Sequence, residues 1–138
     1  MNNEIKLFED FNLTQEPIHS EIAIKVLHII IQFQLFHWEA ITMKDHKIFD
    51  DFIDEFKELG DKLVEVISGV YGRVLIPSDL NIPLRNLNDL DPVGFIEQAI
   101  ELFTVYKNNA VKDSPEIINI IDEILALFQQ TKYLLSFK

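Results

Sequence analysis

The chain has 138 residues and a mass of 16.1 kDa, with 48% hydrophobic and 25% charged residues, enough for one domain over 1–138 around a single core. Its formal net charge of -11 disfavours wrapping nucleic acid or adhering to an anionic membrane. With no Cys, disulfide scaffolds, zinc fingers, iron–sulfur clusters and thiol nucleophiles are excluded, and His and carboxylates are left as the strong metal ligands.

Met1-Asn2-Asn3-Glu4 lacks a basic leader pattern, and the longest apolar stretch, Ala23 to Phe36, is broken by Lys25, His28, Gln32 and Gln34. A cytoplasmic protein without a membrane span is expected. The Ile-, Asn-, Lys- and Phe-rich usage hints at an AT-rich genome, bacterial or viral.

Apolar residues recur at helical spacing between few Gly and Pro, which predicts four helices and no strands. The first runs from about Pro17, in its first turn, to Trp38. Glu21, Lys25, His28 and Gln32 form one narrow polar stripe on it, and apolar residues cover most of the rest. So much apolar circumference implies a subunit interface. A tight connection, Glu39 to Ile41, leads into a second helix capped by Thr42 with Asp45 and ended near Tyr71 by Gly69 and Gly72. These two helices form an antiparallel hairpin.

Residues 73–91, with Pro77 and Pro83, read as a long crossover holding a short helix near Leu84 to Leu90. Asp91-Pro92 starts the third helix, with Phe95, Ile96, Ala99, Ile100, Phe103 and Tyr106 on its apolar face. Ser114-Pro115 starts the fourth in the same way, with Ile117, Ile120, Ile121, Ile124, Leu127, Phe128, Leu134 and Leu135 inward. The expected fold is all-α: a ferritin-like four-helix bundle with one long crossover between helices 2 and 3.

The second helix carries the chemistry. Taking His46 as the zero of angle, Asp50, Asp61 and Glu65 fall within about 100°, whereas Phe49, Phe52, Ile53, Phe56, Leu63 and Ile67 gather on the opposite side. His46 and Asp61 are ~22 Å apart along a straight helix, beyond the reach of one metal or a bridged pair, so one chain cannot close a site. His37, across the tight hairpin, can join His46 and Asp50 as one half. An identical helix packed antiparallel about a two-fold axis near Glu55 and Phe56 would supply Asp61 and Glu65, giving an isologous dimer with two equivalent sites. Two imidazoles and three carboxylates suit Fe(II), and less exclusively Mn(II) or Zn(II). Asp54 and Glu58 lie on or near the same face, placed to orient ligands or guide cations.

His37-Trp38, His46-x-x-Phe49-Asp50 and Asp61-x-x-x-Glu65, spread over roughly residues 15 to 70, resemble the ferroxidase ligands of the Dps family of mini-ferritins, in order and with the same interval from His46 to Glu65. The interval from His37 to His46 is shorter than is usual there. The resemblance implies that His37, His46, Asp50, Asp61 and Glu65 bind iron, as a di-iron pair, and carry catalysis. It further implies oxidation of Fe(II) by hydrogen peroxide or dioxygen, ferric storage inside a dodecamer, and protection against oxidative damage. The basic tail of DNA-binding members is not matched: Glu4, Glu9, Asp10 and Glu16 face a single Lys6, so no DNA compaction is expected.

His19 and His28 are read as structural; Glu16-x-x-His19 has no second copy to make a larger di-iron motif. Trp38 is read as packing, or as an oxidisable neighbour of the irons. The alternative from another class is a non-catalytic helical bundle acting as a structural or interaction protein.

Overall fold

The computed structural model describes residues 17–138, and these form a four-helix bundle with no strand among them. The helices are α1 (Ile18–Glu39), α2 (Met43–Tyr71), α3 (Pro92–Asn108) and α4 (Pro115–Leu135). The tail read as acidic lies outside the described residues.

Local signals set most helix ends. The Thr42 hydroxyl accepts the Asp45 N–H at 3.1 Å, and the Asp91 carboxylate accepts from Val93 and Gly94, each satisfying N–H groups that a first turn leaves bare. Gly72 closes α2 with φ 100°, its N–H bonded to the Ser68 carbonyl, a conformation that a side chain would strain. Gly69 instead lies inside the helix. Pro17 precedes α1 rather than opening it. Ser114 caps nothing with its side chain, because its hydroxyl is bonded to the Tyr71 phenol at 2.9 Å. The expected short helix near Leu84 to Leu90 is a turn in which the Asn86 carbonyl accepts from Asp89 and Leu90.

The core is aromatic. Phe33 of α1 stacks obliquely on Phe52 of α2 at 4.2 Å, Phe128 of α4 packs against Phe52, Phe56 and Phe103, and all of these rings are buried. Their order fixes the helix directions. Phe36 meets Phe49 while Gly60 meets Val26, so α1 and α2 are antiparallel. Phe95 meets Phe33 and the Tyr106 phenol donates to Glu21 at 2.8 Å, so α3 also runs against α1. The expected inward faces of α2 and α3 are buried or half-buried, but Leu134 at the end of α4 is exposed.

Residues 72–91 run beside α1 and borrow its polar side chains. The Leu75 N–H donates to the Ser20 hydroxyl at 3.0 Å, and the Leu87 N–H donates to Glu39 at 2.7 Å. Gln32 is bidentate to Arg85, accepting from its N–H at 3.0 Å and donating to its carbonyl at 2.8 Å. A segment without helix must place its backbone groups somewhere. The polar stripe of α1 receives them.

Candidate functional site

The tight hairpin brings His37 and His46 together. Their rings stack with centroids 3.9 Å apart. The His37 Nδ1 lies 3.0 Å from the His46 carbonyl, and the His46 Nδ1 lies 3.2 Å from the His37 carbonyl. A carbonyl oxygen only accepts, so both Nδ1 atoms carry the proton. In the tautomer this fixes, the lone pair of each ring is on Nε2, the arrangement of a metal-ligating histidine whose other nitrogen is held by a backbone oxygen. Both rings are half-buried.

Asp50 stands one turn beyond His46, with Asp61 and Glu65 farther along α2, and all three carboxylates face solvent. The opposite side of the helix, Phe49 to Ile67, is core, as the angular separation predicts. Within the described residues no three His, Asp or Glu side chains converge on one point. The structure thus joins His37 to His46 but does not gather Asp50 with them into the expected three-residue half-site, and it leaves Asp61 and Glu65 farther along α2. Trp38 is 73% exposed, which corrects its reading as packing.

His28, structural as its isolated place in the sequence suggests, belongs to a buried polar line on α1. Lys25, His28 and Gln32 are within the protein. Burial, opposed by Glu21, lowers the Lys25 ammonium from 10.5 to about 8. Burial first and the Lys25 charge second push His28 down to about 3, against the Pro83 backbone, which favours the charged form. Tyr106 is raised by burial and by its bond to Glu21. The stripe itself was visible at helical spacing. Nothing in residues 72–91 signalled that they would cover it.

A second missed feature is a groove of about 510 Å³ between α1, α2 and the start of the connection. Val26, Leu27, Ile30, Val64 and Ile76 make its apolar wall, and Lys57, Glu58 and Asp61 stand at its edge. Gly60 forms part of the groove and permits close helix approach, since a Cβ there would meet the Val26 Cγ1 at 2.7 Å.

α1 is long and apolar enough to cross a membrane by length and composition alone. Ile22, Ile24, Ile29, Phe33 and Phe36 on it are wholly buried by the rest of the fold, as in a core helix.

Comparison with known proteins overturns the Dps assignment. Residues 37–135 match a family of unknown function, DUF5856, and neither a Dps nor a ferritin-like family is matched. The chain is also 30% identical, over 131 residues, to the "Uncharacterized 14.6 kDa protein in mobD-ri intergenic region" of Enterobacteria phage T4. That alignment covers 94% of this chain and 97% of the phage protein. No solved structure matches. Five ligand-type residues on two helices describe a possible chemistry, and shared spacing of so few positions does not establish descent.

Proposed function

The chain belongs to the family of unknown function DUF5856, and from that premise we propose that it is a ferritin-like bundle oxidising Fe(II) at sites completed between two copies. The observation that carries this reading is the reciprocal clamp of His37 and His46, which readies two Nε2 atoms for metal.

Iron is the substrate in this reading. His37, His46 and Asp50 bind it from one chain, and Asp61 and Glu65 come from the two-fold mate. The donor set of imidazole and carboxylate fits Fe(II), with Mn(II) and Zn(II) as competitors. Two Fe(II) ions each give one electron to hydrogen peroxide, whose O–O bond breaks and takes up two protons to yield two waters; dioxygen is the other candidate acceptor. Consuming Fe(II) and peroxide together protects against oxidative damage. The acidic surface, net charge -11, draws cations in.

The parallel course of α2 and α3, joined by a connection lying along α1, supports the ferritin-like bundle with one long crossover. Storage would need a closed shell, and twelve chains of 16.1 kDa give about 193 kDa. A cytoplasmic location goes with this reading, supported by the phage relative.

A non-catalytic interaction protein is the second reading, favoured by the lack of three converging ligands among the described residues. Anaerobic Fe(II) titration followed by peroxide separates the two. Ferric absorbance in the wild type that is lost in His46→Ala and in Asp61→Ala is expected. No ferric product from the wild type, or none lost in the variants, would leave the second reading standing.

A further inference from the structure

We infer that the groove beside Gly60 receives Trp38 of a second copy of this chain. The inference rests on the two-fold arrangement proposed above and adds the contact that holds it together.

An axis midway between Glu55 and Phe56 sets His46 opposite the partner's Glu65, and Asp50 opposite the partner's Asp61. It also sets Asp54 opposite the partner's Lys57. That last pair is complementary and occurs twice about the axis, whereas the facing carboxylates at Asp50 need a cation between them. Asp54 and Lys57 are both solvent-facing and, at 100° per residue, lie on the same side of α2 as Asp50 and Asp61.

The same register places Trp38. Its neighbour His37 stacks on His46, so Trp38 stands near the level of His46 in its own chain. In the partner that level is Glu65, beside the partner's Val64 in the groove wall. The wall leaves apolar surface uncovered: Leu27 is 39% exposed and Ile76 41%. Trp38, 73% exposed, offers a side chain of the type that most often anchors protein interfaces. A knob and a hole thus lie at opposite ends of one face, as an isologous dimer requires.

Trp38 is the only tryptophan and the chain has no Cys, so two clean readouts exist on the metal-free protein. Its emission is expected to be blue-shifted and shielded from iodide in the assembled protein, and to move red on dilution to monomer. Trp38→Ala should weaken dimerisation at least about 30-fold. Leu27→Asp, which leaves the tryptophan in place, should expose it. Mixing Trp38→Cys with Ile76→Cys protein under oxidation should give a covalent dimer that neither forms alone. A monomer at all concentrations, or an assembled protein whose tryptophan is fully quenched and whose mixed cysteines do not join, would overturn the inference. Cross-linking without iron oxidation would keep this contact and refute the ferroxidase reading; iron oxidation with an exposed tryptophan would do the reverse.

Discussion

Beside the buried apolar face of α1, with Ile22, Ile29 and Phe33, two narrow stripes of the same helix invert the usual rule. Its polar stripe of Lys25, His28 and Gln32 is inside the protein, and its apolar stripe of Leu27, Ile31 and Trp38 is outside. The polar side is buried because an irregular segment lies on it and needs hydrogen-bond partners; the apolar stripe is bare because no element among the described residues covers it. A polar stripe on a helix therefore marks where something polar must be met, and water is only one candidate.

Replacing Gln32 breaks the buried side most severely. Gln32→Ala strands both backbone groups of Arg85 and should cost about 2–6 kcal/mol, at ~1–3 kcal/mol for each unpaired group. Urea unfolding would measure it, and a cost under ~1 kcal/mol would mean that water replaces the side chain.

Acid tests the same side through His28. Its folded pKa of about 3 lies below the usual 6.5, so between these values the unfolded chain takes up a proton that the folded one refuses. The His28 contribution to stability is complete above about pH 7 and is lost as the pH falls toward 3, by on the order of 3 kcal/mol at pH 4. Lys25 titrates from a higher range, about 8 when folded. His28→Gln should flatten the pH slope between 3 and 6.5, measured by denaturant midpoints across that window; an unchanged slope would assign the acid sensitivity to other groups.

Gly60→Ala sits where the two helices touch. The added Cβ would press on Val26, costing about 1–3 kcal/mol as an overpacked contact. Thermal unfolding checks this, and a gain in stability would show that Val26 turns aside without loss.

The smallest effect belongs to the bare side. Leu27→Ser should change the folding stability of the monomer by no more than about 0.5 kcal/mol, while sedimentation shows its self-association reduced. Equal destabilisation on both sides would abolish the distinction drawn between them.

Much of the bundle was legible in the sequence. The periodicity of Phe49, Phe52, Phe56 and Ile67 gave α2 its inner face, and Thr42 and Asp91 marked true helix starts. What escaped was long-range: Ser114 trades its cap for Tyr71 across the fold, and the partners of Gln32 lie 53 residues away. Spacing along one helix contains no information about which irregular segment will cross it. The histidine pair was legible for the opposite reason, since a tight turn leaves its two ends little choice of neighbour. Their mutual lock through Nδ1 was not, because it depends on backbone carbonyls that side-chain patterns do not describe.

That lock also has a place in time. His37 and His46 are nine residues apart, whereas the bonds that dock the connection onto α1 span 48 to 55 residues. Loop closure costs less entropy, and happens sooner, for the nearer pair. The first hairpin can thus mature with its imidazoles already paired while residues 72–91 are still searching for their acceptors.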